Sequence, residues 1–475
     1  MFVGRSRELA ALERQMDVVR EGRRADAGVA VLLRGRRRVG KSRLVGELVR
    51  RLGVPTVTFQ AARGAPLGQE LALLAQAVAD SDLPAADVAR DSTPSTLTAA
   101  LTLLAAALPD DTPSVVVLDE VPWLLEQAPG AAGELQRVWD ARLSRKPVLL
   151  LLLGSDLATM ERLTGPDQPF HGRATEMVLD PLSPAEVGGM CGVGAFDAVD
   201  AYLVTGGLPL VAQEWQSGAS LEQFLESSFG TSTSALVVSG SRVLDAEFGE
   251  GTIARQVLTA IGGRGERTFS GIQGAARGEP LNATTLTGML GTLTRKRVVA
   301  TDDPLSTRSA PRNRRYRVAD PSLRFWLAFV EPALGEVDRG RPDLALARVQ
   351  RGFAAWRGRA VEPVVRGALE RLLPDERFPE VTRVGGWWPR SNQPEVDLVG
   401  TAGAPGPVHL VGTVKWRAGA RVRADEVQAL ADDAVAVPGV TAGTSLVAVC
   451  PAGAEPGLPL AATWGAEDLL AAWPR

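Results

Sequence analysis

Two kinds of hydrophobic pattern alternate through the first 180 residues. Continuous apolar runs at 29–33, 115–118 and 147–153 read as strands buried on both faces, and 55–61 reads as a further apolar strand. Between them, apolar residues recur at helical spacing. Leu44, Val45, Leu48, Val49 and Leu52 mark one helix from Ser42 onward, and helices are also predicted over 6–20, 70–79 and 96–108. Strands alternating with helices over residues 28–180 predict an α/β fold built on a doubly wound parallel sheet.

The pattern changes after Gly251. Ile253, Val257 and Ile261 mark a helix, and Phe269 to Ala276 a short second one. Asn282 is placed to cap a third, with Leu286, Leu290 and Leu293 on its apolar face. Val298-Val299 and Tyr316-Arg317-Val318 then read as a strand pair around a loop, so the segment predicts a winged helix. Asp320-Pro321 opens a helix through Leu323, Trp326 and Phe329, and 335–349 reads as a charged connector. The last 125 residues predict a small α/β domain, with a helix over Arg359 to Leu373 and strands at 394–399 and 409–416. The expected division is a core over 1–190, a helical lid over 191–245, a winged helix over 246–335 and the small domain over 350–475.

Composition narrows the possibilities. With 475 residues, 45% hydrophobic and 23% charged, the chain has the make-up of a globular protein of about three domains. A net charge of −3 means that any nucleic-acid surface must be a local patch. The longest aliphatic run, Val148 to Leu153, is too short to span a bilayer, and the N-terminus lacks a secretory pattern, so a cytoplasmic protein with no membrane contact is expected. Two cysteines and two histidines argue against a disulfide scaffold and against histidine-rich metal centres.

The densest chemistry is Gly35-Arg36-Arg37-Arg38-Val39-Gly40-Lys41-Ser42, which reads G-x-x-x-x-G-K-S between a strand and a helix. The glycines let successive backbone N–H groups converge on an anion, and the helix adds the positive end of its dipole. Lys41 is expected on the β- and γ-phosphates of ATP, and Ser42 on Mg²⁺. Only four lysines stand against 48 arginines, so the ammonium at 41 reflects a specific requirement. Ser114 to Asp119-Glu120 supplies the second half: Asp119 to hold Mg²⁺ and Glu120 to polarise the attacking water. Ser155, after the 147–153 strand, is either a strand-end turn or, as the resemblance to AAA+ ATPases given below implies, a γ-phosphate sensor. Arg173, on a loop expected over 170–175, is either a phosphate-sensing arginine acting in cis or in trans, the latter implying self-association, or a solvated loop residue.

The FVGR-x-x-EL box at residues 2–9, GRRRVGKS, VVVLDEVPWL, the Gly154-Ser155 strand end, HGRAT and Val204 to Pro209 occur in that order. Together they resemble the archaeal-type ATPases of the STAND/AAA+ group over roughly residues 1–240. The resemblance implies a P-loop NTPase core, Arg5 within a box that lies against the adenine, and Gly207 and Pro209 in a helical lid over it. The C-terminal domain resembles the PD-(D/E)XK nucleases, which implies a metal site at Glu362, Asp397 and Lys415 and a restriction-endonuclease-like fold. Thr413 stands where that pattern wants an acid, with Glu395 as a stand-in, so the site is expected to be degenerate.

Three functions follow as expectations. The first is an ATP-driven switch in which hydrolysis moves lid and winged helix relative to each other. The second is an ATP-gated DNA endonuclease, and the third a DNA-binding or signalling adaptor that hydrolyses little. Double-stranded DNA would be held by Arg312, Arg314 and Arg315 in the wing, a loop that equally suits docking within the protein.

Overall fold

The computed structural model describes residues 2–22, 27–127, 130–166, 168–248, 253–276 and 281–473. The chain divides into two compact units, Met1–Pro181 and Leu182–Arg475.

The first unit is a five-stranded parallel sheet. Its strands are β1 (Val29–Arg34), β2 (Thr56–Gln60), β3 (Ser114–Asp119), β4 (Val148–Gly154) and β5 (Ala174–Val178), in the order β2-β3-β4-β1-β5. β3 and β4 are buried along their whole length, which explains their unbroken apolar sequences. Helices cover both faces. Ser6–Glu21 and Lys41–Leu52 pack with Val29, Val31 and Leu33 on one side. Leu67–Ala79, Leu97–Ala107 and Ala131–Ala141 pack with Leu32, Val116 and Leu150 on the other. The loop expected over 170–175 ends at Arg173, and Ala174 begins an edge strand. That strand has no long apolar run because Thr175 and Glu176 face solvent.

The second unit begins with a helical region over Pro184–Phe248, followed by three helices and a hairpin. Ile253–Ile261, Phe269–Ala275 and Ala283–Arg295 precede the antiparallel pair β6 (Val299–Asp302) and β7 (Arg315–Val318). Asn282 caps the third helix, its side chain accepting from the Thr285 amide at 2.8 Å. The charged connector expected over 335–349 is instead helical, since Pro342–Leu372 is one 31-residue helix. Gly340 and Pro342 read as punctuation, but Pro342 occupies the first turn, where its missing N–H costs nothing. This helix runs across residue 350, where the C-terminal domain was expected to start. The terminal sheet is mixed: β8 (Arg383–Trp387), β9 (Val396–Thr401), β10 (Val408–Val414), β11 (Ser445–Val449) and β12 (Ala462–Trp464), ordered β12-β11-β10-β9-β8. β8, β9 and β10 pair antiparallel; β10, β11 and β12 pair parallel.

The helical region, the three helices with their hairpin and the long helix share one hydrophobic core. The Trp326 indole donates to the Val237 carbonyl at 2.9 Å, and a side chain at Gly240 would strike the Trp326 ring. Trp356 donates to the Gly263 carbonyl at 2.8 Å. These contacts join the helical region, the three-helix segment and the long helix in one packed core. Among the described residues no single helix is long and apolar enough to cross a membrane. The bent pair Pro184–Cys191 and Ala195–Thr205 meets that test only jointly, across a 102° bend, and belongs to this core.

Candidate functional site

The G-x-x-x-x-G-K-S segment bridges the C-terminal end of β1 and the helix Lys41–Leu52. Gly40 takes φ 94° and Arg38 φ 68°, left-handed conformations that curl the chain. Gly35 is required for a different reason: a Cβ there would lie 2.5 Å from the Leu179 carbonyl oxygen. Lys41 is buried, and its ammonium donates to the carbonyls of Gly35 at 2.7 Å and Arg36 at 3.2 Å, inside the loop.

β3 brings the acids to the same end of the sheet. The Ser42 hydroxyl donates to Asp119 Oδ2 at 2.6 Å, and Asp119 Oδ1 accepts from the Glu120 amide at 2.8 Å. Glu120 adopts φ 54°, an uncommon conformation for a residue with a side chain. The twist directs its carboxylate to β4, where Oε2 accepts from the Ser155 hydroxyl at 2.8 Å and from the Ser155 amide at 3.3 Å. Arg37 Nε reaches within 3.5 Å of the same hydroxyl, and the Arg37 guanidinium lies 5.2 Å from the centroid of the Trp123 ring. Lys41, Ser42, Asp119, Glu120, Ser155, Arg37 and Trp123 thus form one constellation at the carboxyl ends of the strands, where open α/β sheets bind ligands.

Two sequence-derived candidates lie elsewhere in this unit. Arg173 is at the opposite end of the sheet from the loop. Its neighbour Ala174 is in register with Ala30, whereas the loop begins after Arg34, a separation of about 13 Å along the strand. Asp140 takes the guanidinium in a two-pronged pair at 2.8 and 3.0 Å and raises its already high pKa. The cis role expected for Arg173 is therefore corrected. Arg5 is close to the loop but turned onto backbone, donating to the Val39 carbonyl at 3.1 Å and the Asp180 carbonyl at 2.6 Å, with Glu8 on its other nitrogen. It braces the loop from behind. Pro209 opens the helix Pro209–Ala212 in the second unit.

The C-terminal candidates are brought together without forming a metal centre. Glu362 is buried, and burial pushes its carboxyl up to about 8 against the pull of Arg366. Arg366, four residues on, donates to Glu362 at 2.8 Å and to the Asp397 carbonyl at 3.0 Å. Asp397 Oδ2 accepts from the Thr413 hydroxyl at 3.0 Å and the Val414 amide at 2.9 Å. Glu395 does not stand in for the missing acid, because Arg315 and Arg359 hold its carboxylate at 2.6 and 3.0 Å. Lys415 lies just past the end of β10 and its amide pairs with the Val449 carbonyl at 2.8 Å. Among the described residues no cluster of three or more Asp, Glu, His or Cys could hold a metal. Arg366 was legible as a partner, since i and i+4 share a helix face.

The wing arginines are also largely spent within the fold. Arg314 forms a two-pronged pair with Asp303 at 2.9 and 2.7 Å, and Arg317 pairs with Asp302 at 2.8 Å. Arg315 is buried against Glu395 and Asn392, 4.1 Å from the Trp388 ring centroid. The expected DNA contact at Arg315 is thus corrected to a buried structural pair, Arg314 pairs with Asp303 at the surface, and Arg312 remains exposed.

Comparison with known families is consistent with this layout. Residues 1–151 match the AAA ATPase domain family. Residues 326–428 match a family described as archaeal and bacterial proteins of unknown function. No curated protein matches. Similar solved structures include the Walker-type ATPase paby2304 of Pyrococcus abyssi, at 18% identity and TM-score 0.48 over 69% of this chain and 96% of that one. The Aeropyrum pernix ORC2 protein in ADPNP–ADP complexes matches at 15% identity and TM-score 0.41, over 74% and 96%. The Aeropyrum pernix ORC1 protein in complex with DNA matches at 18% identity and TM-score 0.34, over 74% and 95%.

Proposed function

We propose that the AAA ATPase domain binds ATP with Mg²⁺ at the 35–42 loop and hydrolyses it, and that the second unit responds as one body. The observation that carries this reading is the 2.6 Å bond from Ser42 to Asp119, made across 77 residues of sequence beside the buried Lys41. A hydroxyl and a carboxylate oxygen meeting at a loop of convergent amides are the few hard oxygen donors that Mg²⁺ takes from protein, alongside water and phosphate. The residues therefore fit the ion, which would supply charge neutralisation at the phosphates when bound. The chain's own groups do the rest. Loop amides and Lys41 hold the phosphates, and Lys41 exchanges its two carbonyl partners for phosphate oxygens. Glu120, released from Ser155, orients water for in-line attack.

The decisive test is nucleotide affinity of the wild type and of Lys41→Ala. Loss of ATP binding by at least tenfold in the variant is expected; equal affinity would sink the reading. DNA association is the lesser reading, supported only by the exposed Arg312 and the basic end of the third helix at Arg295 to Arg297. It predicts turnover that changes on adding duplex DNA. Cleavage by the C-terminal domain is disfavoured by the Thr413 hydroxyl on Asp397 and the Arg366 guanidinium on Glu362.

A further inference from the structure

We infer that Arg37 is the arginine that stabilises charge on the transferred phosphoryl group, supplied in cis from within the phosphate-binding loop itself, with Trp123 as its positioning residue. This deepens the ATP reading and rests on it.

Arg173 is at the far end of the sheet with Asp140, Arg5 is bound to backbone carbonyls, and Arg34 is held by Glu161 and Glu176. Arg37 differs from them. Among the described residues no carboxylate pairs with its guanidinium, which is held only by the Trp123 ring and the Ser155 hydroxyl. Both partners follow the carboxyl ends of strands, Trp123 after β3 and Ser155 after β4. The guanidinium therefore lies at the carboxyl ends of β3 and β4, beside Ser155.

Its position relative to Glu120 is the second point. Ser155 gives its proton to Glu120 at 2.8 Å while its oxygen faces Arg37. One hydroxyl separates the cation from the carboxylate that orients water. In the reaction, the water oxygen bonds to the γ-phosphorus as the bond to the β–γ bridging oxygen breaks. The electron pair leaves with ADP, inorganic phosphate forms, and the water's proton passes to solvent by way of Glu120. Negative charge develops between the two groups that Ser155 now bridges, and a preorganised guanidinium there acts where charge appears. An arginine–aromatic contact holds the side chain in place yet yields to phosphate, because a two-pronged pair with an anion is the stronger interaction.

The test uses the full chain with Arg37→Ala, Arg37→Lys and Trp123→Phe, reading ADP affinity, trapping of ADP with aluminium fluoride and Mg²⁺, single-turnover hydrolysis and tryptophan fluorescence. Arg37→Ala should keep ADP affinity within about threefold, fail to trap ADP–aluminium fluoride, and lose turnover by roughly a hundredfold or more. Arg37→Lys should recover only part, since a point charge lacks the planar fork. The fluorescence change on trapping should be present in the wild type and absent in Trp123→Phe. Wild-type turnover per molecule should not depend on protein concentration, as an arginine acting in cis requires. Turnover of Arg37→Ala within threefold of wild type overturns the assignment, as does a fall in ADP affinity that matches the fall in turnover. A wild type that binds ATP but traps no ADP–aluminium fluoride also overturns it while leaving the nucleotide site standing. Equal ATP binding by wild type and Lys41→Ala instead removes the site, and Arg37 with it.

Discussion

At the scale of single residues, the site works through uncommon backbone and close approach. Gly35 illustrates this. Its hydrogen side faces the Leu179 carbonyl so closely that a methyl group would sit 2.5 Å from the oxygen. Gly35→Ala should therefore cost about 2 kcal/mol of stability through overpacking. It should also weaken nucleotide binding more than tenfold, measured by calorimetric titration. Glu120 is the complementary case, because its left-handed backbone sends the carboxylate to Ser155. Glu120→Gln keeps the shape and the ability to accept from Ser155 but lacks the charge. Nucleotide affinity should be retained while turnover falls by roughly two orders of magnitude, a separation checked by paired binding and single-turnover measurements.

Between elements, buried ion pairs join helices that sequence pattern could not connect. Asp200 on the helix Ala195–Thr205 pairs with Arg357 on the long helix at 2.7 Å. Arg357 also stacks on Phe196 and Phe353 and donates to the Trp416 carbonyl at 3.2 Å. Burial pushes the Asp200 carboxyl up to about 6 from 3.8, outweighing the pull of Arg357. The folded protein thus holds this proton more tightly than the unfolded chain. The contribution to stability is full below about pH 3.8 and is lost as pH rises through 6, on the order of 2 kcal/mol. Asp200→Asn should remove that part of the pH dependence. Thermal midpoints measured from pH 4 to 7 should fall less steeply for the variant than for the wild type.

For the molecule as a whole, the chain divides at Pro181 and the second unit is built on a shared core. Calorimetry should resolve two transitions. Mg²⁺–ADP at a hundred times its dissociation constant should stabilise the first unit by about 2.7 kcal/mol and leave the second in place. Mn²⁺ without nucleotide should not move the second transition, because the Glu362 and Asp397 region forms no metal cluster among the described residues. Arg315 has a role at this scale too, tying the β6–β7 hairpin to Glu395 and Trp388 near the terminal sheet. Arg315→Ala should cost about 3 kcal/mol of second-unit stability by removing the cation between the buried Glu266 and Glu395, with Arg359 alone remaining on Glu395, read from the second transition. If DNA binding exists, it should change little in that variant.

How much of this could be read in advance follows from the range of each interaction. Strands buried on both faces, helices with an apolar stripe and a nucleotide loop are encoded in neighbouring residues. Four of the five strands of the first unit's sheet, the Asn282 cap and the 35–42 loop were therefore visible in sequence, whereas the edge strand β5, with little apolar signal, was not. The one-core packing of the second unit was not, because Gly340 and Pro342 imitate a linker and the contacts of Trp326 and Trp356 span long separations. Charge was least legible of all. Arg173, Arg314 and Arg315 have the composition of ligand contacts, yet each finds a carboxylate in the folded chain. Arg37, an anonymous position inside the motif, finds none among the described residues and faces Glu120 through Ser155. Local pattern determined which elements form and where phosphate chemistry resides. Only the tertiary structure decided which guanidinium groups pair with carboxylates, because pairing of charges depends on distances that sequence separation does not carry.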